Sequence, residues 1–558
     1  MNPEDGPLGH MITYLTASEV LRIEPNEAEL QDEVSGLPLE GLIRACSFLL
    51  HVLHEGHRFG IDPQLHAIDA FVPAPLQRDI REWYAKGYVL IYPDQLLGLM
   101  RLGILHCRSE EQTPLTLEQQ RAFFRALLRY GDHHTADFVS AGDDLGNAAA
   151  NALRGLALPH NTQANVISRA YAIWVQYLAD PEIEKSPYWM DLRTEFQHVT
   201  GGHDPFTHIV AGFSVWGHGD LHPIGDPAAL QEWEFDPKAW LRTVRNKPEM
   251  LRALDAFAGT RDDLAAAFRA MPTPPRYHLL AMRPFRRFPV YRRRDGLLVM
   301  ISHEFLLNAL NDGIYWVLHD HIRDVHGEAQ RSRFTQFYAW LFEKFVLDFT
   351  RSAMTGDAHR VYGEADATPS TAAADVAVWR GTAWGLIEVT KSAIRYDETL
   401  LTGDLKAIRS DIARFATKAR QGRDAADRLR DGAVRYEGHD SPEDRALPIR
   451  RVVVLADGLP RFPLLNEITR EELAKAGVEP EAVIISVDEL MQASGRDDPE
   501  RLWTLIDAWR ADPRYAETSL NNFLIFENHE IPGAERAALI EELFAALKRE
   551  TSARLFDS

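Results

Sequence analysis

The sequence predicts a mainly α N-terminal region followed by an α/β C-terminal region, and three observations carry that expectation. Residues 1 to about 270 read as helical stretches separated by loops rich in Gly, Pro, Asp and His. From Phe334 onward, short apolar runs alternate with long stretches of helical periodicity. Among those runs, Ala373 to Lys391 (AADVAVWRGTAWGLIEVTK) reads as a tight β-hairpin.

Taken in order, helices are expected over 39–53, 117–130, 164–178 and 263–271. The proline-rich stretch 271–275 marks a boundary. Short β-like runs follow at 278–282 and 297–302, then a helix over 304–319. A helix over 334–350 carries Phe334, Tyr338, Leu341 and Phe345 on one stripe. A strand over 360–365 precedes the two hairpin strands. The next helix, 405–429, places Leu405, Ile408, Ile412, Phe415 and Ala419 at helical spacing. RVVVLA at 451–456 is apolar enough for a buried strand. A helix over 470–476 and a strand over 482–487 extend the series. The expected domains are a helical recognition or regulatory region (1–272), an Arg-rich connecting segment with short strands and helices (273–330), an α-β-β-β-α-β domain (331–490) and a C-terminal α/β extension (491–558).

The hairpin places chemistry. Its turn falls at Gly381-Thr382, with Gly first, as a type II′ turn prefers. That turn pairs Trp379 with Trp384, Ala377 with Leu386 and Asp375 with Glu388. Residues directly opposite have Cβ atoms roughly 5 Å apart, so the two carboxylates repel unless something offsets them. A divalent cation would do so, because carboxylates, water and phosphate oxygens are how Mg²⁺ is usually held. Val376, Val378, Ile387 and Val389 form the opposite, β-branched face.

Bulk properties bound the function. The 558 residues are 45% apolar and 26% charged, ordinary values for a globular chain. Cys46 and Cys107 make no disulfide framework and suit a reducing cytoplasm. No apolar run of membrane-spanning length and no secretory signal are expected. A net charge of −21 disfavours nonspecific attraction to nucleic acid, so any phosphate-binding surface must be local. One place is Arg276 to Arg294, where Arg283, Arg286, Arg287, Arg292 and Arg293 interleave with Phe285, Phe288 and Tyr291 and no acid intervenes. Such a stretch binds phosphates or pairs with the many acids of the chain. The other is 405–420, with Lys406, Arg409, Arg414, Lys418 and Arg420 against Asp411 alone. His51, His54 and His57 recur every third residue, but His54-Glu55-Gly56-His57 is one residue short of the H-E-x-x-H spacing that faces two imidazoles at one metal. No phosphate-binding G-x-x-x-x-G-K-[ST] loop and no G-x-S-x-G elbow is present.

The α-β-β-β-α-β order over about 334–487, with acids on the second and third strands, resembles the PD-(D/E)xK nuclease superfamily and its restriction-endonuclease-like fold. The resemblance implies that Asp375 and Glu388 bind Mg²⁺ or Mn²⁺ and that Lys391 and Glu343 are further catalytic residues. It also implies that the helix around Lys418 faces a nucleic-acid backbone, with Lys406, Arg414, Lys418 and Arg420 as contacts; from local charge alone, Arg286, Arg287, Arg292 and Arg293 are a second candidate set. In the usual pattern one residue separates acid from lysine; here Glu388-Val389-Thr390-Lys391 separates them by two. A β-bulge would swing Lys391 back to the acid's face; otherwise Lys406 or Lys418 substitutes, or the site binds without cutting. The expected function is a cytoplasmic metal-dependent endonuclease acting on DNA rather than RNA, in restriction or anti-phage defence. A second copy or a protein partner would engage the helical N-terminal region. The alternatives are a catalytically degenerate nuclease fold that binds nucleic acid or protein, and a metal-binding protein that uses the N-terminal histidines.

Overall fold

The structure is a computed structural model and describes residues 13–56, 60–110, 115–140, 163–220, 233–271, 282–354, 356, 358–370, 373–392, 405–459, 461, 463–478, 482–495, 497–515, 517–527 and 537–555. The chain forms two compact units, each drawn from separate stretches of sequence: Met1–Ala148, Phe196–Tyr315 and Ser552–Ser558 in the first, Ala149–Glu195 and Trp316–Thr551 in the second. These divisions differ from the expected boundaries at 272, 330 and 490, because long-range pairing rather than local composition decides where a segment belongs. Within the expected connecting segment, Val290–Arg292 and Leu298–Met300 join Ala258–Gly259 in a three-stranded sheet of the first unit. Trp503, from the expected C-terminal extension, packs on the main sheet of the second unit at Gly385.

The first unit is mainly helical. Helix Leu39–Glu55 is buried along nearly its whole length and packs on Pro93–His106, where Gly103 admits the Leu42 side chain; a Cβ there would lie 2.5 Å from Leu42. The helix expected over 304–319 is two helices, His303–Leu310 and Asp312–His326, interrupted at Asn311. The strand expected over 278–282 lies almost entirely outside the described residues.

Two buried histidines of this unit set an acid limit on stability. His203 Nε2 lies 3.3 Å from His208 Nδ1, and their stacked rings sit edge-on to Phe196. Burial pushes His208 down to about 3 and His203 to about 4. An unfolded imidazole titrates near ~6.5, so between that value and the folded values the unfolded chain binds more protons. Stability from the neutral pair is therefore full above ~6.5 and lost as pH falls. The melting temperature should drop from pH 7.5 to pH 5, and the drop should shrink in His208→Gln; equal pH dependence in the two proteins would contradict this assignment.

The α/β core of the second unit runs α1 (Glu328–Met354), β1 (Arg360–Gly363), β2 (Val376–Trp379), β3 (Trp384–Thr390), α2 (Leu405–Arg430), β4 (Ile449–Leu455), α3 (Pro463–Lys475) and β5 (Ala482–Ser486). The five strands form one sheet in the order β5-β4-β3-β2-β1. β2 is antiparallel to both of its neighbours, β1 and β3, and β3, β4 and β5 are parallel. The change of direction follows from the connections: a two-residue turn joins β2 to β3, whereas α2 and α3 provide the long crossovers that parallel strands require. At the turn Gly381 has φ 73°, a conformation that costs glycine little, and Arg380 N–H donates to Ala383 O at 2.9 Å.

Register follows from that turn. Trp379 pairs with Trp384, Ala377 with Leu386 and Val376 with Ile387. Val376, Val378, Ile387 and Val389 are fully buried on one face. The other face is also apolar along much of its length: Ala377, Trp384 and Leu386 pack on Ala425, Ala426 and Leu429 of α2. The first half of α2 (Ile408, Ile412, Phe415, Ala419) closes over Val453 and Leu455 of β4 and Leu465 and Ile468 of α3. A carboxylate on this face is thus held in low-dielectric surroundings.

Candidate functional site

Three acids come from three adjacent strands or their ends. Glu388 lies within β3, Asp375 immediately precedes β2, and Glu364 opens the short 3-10 turn (Glu364–Asp366) that follows β1. Asp375 Oδ2 accepts from Val389 N–H at 2.7 Å, which ties the carboxylate to β3 beside Glu388. Glu388 is buried at 3% exposure, with its side chain beneath α2.

α2 delivers the cation. Lys418 Nζ donates to Asp375 Oδ2 at 2.9 Å and to Glu388 Oε2 at 3.4 Å. One turn further along, Gly422 lies against Glu388; a Cβ at that position would meet Glu388 Cγ at 3.1 Å. The absent side chain lets the helix approach the strand closely enough for both contacts. In Gly422→Ala, helix propensity favours stability by up to ~1 kcal/mol, while the added methyl presses on Cγ of Glu388 and so shifts the carboxylate it carries. Function at this site should fall at equal or higher melting temperature; unchanged function would show that the close approach is not needed.

Electrostatics mark the cluster as one unit. Burial and then the Asp375 charge raise the Glu388 carboxyl well above the ordinary range, against Lys418. Burial and Asp375 likewise raise Glu343 of α1 to about 8, with Glu364 adding to the shift. Glu364 itself is raised by burial and Asp375. Burial pulls the Lys418 ammonium down, but Asp375, Glu388 and Glu343 outweigh it and hold the pKa above its usual value. Four carboxyl groups thus share the influence of one ammonium.

The structure therefore gathers Asp375, Glu388, Glu343 and Lys418, and corrects the expected place of Lys391. β3 runs in register with β4 through Val389↔Val454 and Thr390↔Leu455, with no inserted residue. The bulge that would have returned Lys391 to the acids is not formed. Lys391 is instead held down to about 8 by burial together with Arg414 and Arg331. Glu364 is the residue that sequence reasoning missed. A strand-register count does not reach it, because the strand ends at Gly363 and Glu364 opens the turn that follows.

The candidate phosphate contacts divide. On α2, Lys406, Arg414 and Arg420 are exposed, and Arg414 pairs with the buried Asp411 at 2.7 Å. The arginines of 283–294 belong to the first unit and are largely engaged there. Arg286 lies over Phe305 and Arg287 over Phe288. Arg292 pairs with Asp255. Arg293 is buried among Glu40, Glu234 and Asp295. Of the two readings of the Arg-rich stretch, internal pairing with acids describes Arg292 and Arg293, and burial takes Arg293 out of reach of a phosphate.

No protein-family model, no curated protein and no solved structure matches this chain. Among the described residues no helix is long and apolar enough to cross a membrane.

Proposed function

We propose that the second unit is a restriction-endonuclease-like core and that the protein is a metal-dependent endonuclease acting on DNA. The observation that carries this reading is the meeting of Asp375, just before β2, and Glu388, within β3, on Lys418 of the following helix. Asp375 and Glu388 would hold Mg²⁺ or Mn²⁺, with Glu343 and Glu364 as further oxygen donors. When bound, such an ion lowers the pKa of water and stabilises charge on a phosphodiester. Lys418 places a positive charge where a phosphate would gain negative charge during displacement. Val389 N–H fixes the rotamer of Asp375. The α2 packing on β3 keeps bulk water from the back of Glu388. The exposed Lys406, Arg414 and Arg420 of α2 supply a local basic face on an acidic chain. Restriction or anti-phage defence suits such an enzyme, because its net charge keeps it off bulk nucleic acid until a partner or a second copy brings substrate in.

The test is incubation of the full chain with linear, nicked and single-stranded DNA, and with RNA, in Mg²⁺ or Mn²⁺. Cleavage should require the metal and be lost in Asp375→Ala and Glu388→Ala. Cleavage unchanged in both variants would remove the proposal.

One observation favours a second reading. The Lys418 ammonium already offsets the carboxylate pair, as an ion would, so the fold could persist as a binding module that does not cut. Mn²⁺ titration beside the cleavage assay separates the two. Binding with turnover supports the enzyme, and nucleic-acid binding without turnover in any metal supports the module.

A further inference from the structure

We infer that the first unit holds a site for a zinc-class divalent transition metal, built from His54, Glu55 and His303. One potential ligand atom from each of these residues lies within 4.8 Å of the other two. The sequence supplies them from places 248 residues apart: His54 and Glu55 end the helix Leu39–Glu55, and His303 opens the helix His303–Leu310.

One separation equals that of a coordination shell and the others are wider, within reach of a small side-chain adjustment. Four ligands at about 2.0–2.1 Å from a tetrahedral ion stand about 3.3 Å apart. His54 Nε2 lies 3.3 Å from Glu55 Oε1, and His303 Nδ1 lies 3.9 Å from the same oxygen. Each imidazole turns its other nitrogen to a second residue. His303 Nε2 is 2.9 Å from His51 Nδ1, and His54 Nδ1 is 3.7 Å from Glu304 Oε1. The first is a hydrogen bond of the kind that fixes the tautomer and ring orientation of a metal-binding histidine; the second is a longer electrostatic contact. The walls are aromatic: the Trp233 ring centre is 4.7 Å from His51, and the Trp216 ring centre is 5.9 Å from His303. Glu55 and His303 are buried, while the His54 side chain is 18% exposed and gives an ion a way in.

The donor set selects the ion. Two imidazole nitrogens and one carboxylate suit Zn²⁺, Co²⁺ or Ni²⁺, whereas Mg²⁺ prefers oxygen. This chemistry differs from that of the all-oxygen cluster on the α/β sheet, so the two sites separate by metal as well as by residue. Three protein ligands leave a fourth tetrahedral position for water.

The experiment uses the full chain, stripped with a chelator and dialysed, then given Zn²⁺ or Co²⁺. One equivalent of zinc should remain after gel filtration, measured by elemental analysis, and Co²⁺ should give the intense visible absorption of a four-coordinate ion. Glu55→Gln should weaken zinc binding at least tenfold, and His303→Ala should abolish it. Asp375→Ala should leave it intact, so that failure of this site and failure of the nuclease proposal read out separately. If either first-unit variant does not fold, the wild-type Co²⁺ spectrum decides. A wild-type chain that retains no zinc, or variants that retain it equally, would overturn the inference.

Discussion

Replacing Lys418 with methionine should abolish DNA cleavage, by about 10²-fold or more in turnover if the ammonium stabilises developing charge on phosphate. The same substitution should lower the melting temperature in the absence of metal. Lys418 touches Asp375 and Glu388 together, and Glu343 also feels its charge. Without it the carboxyl groups confront one another in surroundings that already raise Glu343 to about 8. Mn²⁺ should restore much of the lost melting temperature in Lys418→Met, because the ion takes over the offsetting charge, yet it should not restore cleavage. Lys391→Met is the matched control. Its ammonium is shifted by burial and by Arg414 and Arg331, so cleavage should persist. The opposite pattern, with Lys418→Met active and Lys391→Met inactive, would return the catalytic role to the residue that follows β3. Lys418→Arg should not rescue, since a planar guanidinium cannot occupy the space of a compact ammonium between two side chains.

The reason one lysine was misplaced from sequence while the acids were not lies in the kind of geometry each depends on. A two-residue turn fixes antiparallel register as far as Val376↔Ile387, and so brings Asp375, the next residue, beside the strand that carries Glu388. The period of two also determines that Lys391 leaves the face of Glu388 unless a residue is inserted. What stands above that face is a different question. Helical periodicity identifies the apolar stripe of α2 but not the point along it that crosses β3. Lys406 and Lys418 were therefore equivalent as sequence, and only Gly422, one turn beyond Lys418, marks the crossing.

Long-range pairing was hidden for a related reason. The stretch containing Arg292, Arg293 and Arg294 has no acid among its arginines, so local charge suggests an exposed basic patch. Apart from the adjacent Asp295, its partners are Glu40, Glu110, Glu234 and Asp255, separated from it in sequence. His303 was invisible beside His54 in the same way. Helix existence and sheet register are local or nearest-neighbour properties. The assembly of sites from distant elements is not, and neither is the division of this chain into units made from interleaved segments.

Arg293→Met should therefore destabilise the protein rather than weaken nucleic-acid binding. The Arg293 side chain is 5% exposed, with Nε 3.1 Å from Glu40 Oε2 and Nη2 3.0 Å from Asp295 Oδ2, and it also pairs with Glu234. Arg44 pairs with the same Glu234 oxygen, so two arginines and two glutamates share one buried network. Removing one member leaves Glu40, whose side chain is 1% exposed, without its principal cation. Breaking a buried pair in this way typically costs about 3–5 kcal/mol. Burial already raises the Glu40 carboxyl, and Arg293 opposes that rise; in the variant the folded pKa climbs further above the unfolded one. Stability linked to a raised carboxyl is present below the unfolded pKa and lost as pH rises through the folded pKa. The deficit of Arg293→Met should thus be largest at neutral pH and shrink toward pH 5, and Glu40→Gln should recover part of it by removing the stranded charge. Thermal melts of the wild type, Arg293→Met and the double variant at the two pH values measure this directly. A surface arginine serving a phosphate would behave otherwise: its loss would leave the melting temperature unchanged at both pH values and reduce only salt-sensitive binding to DNA.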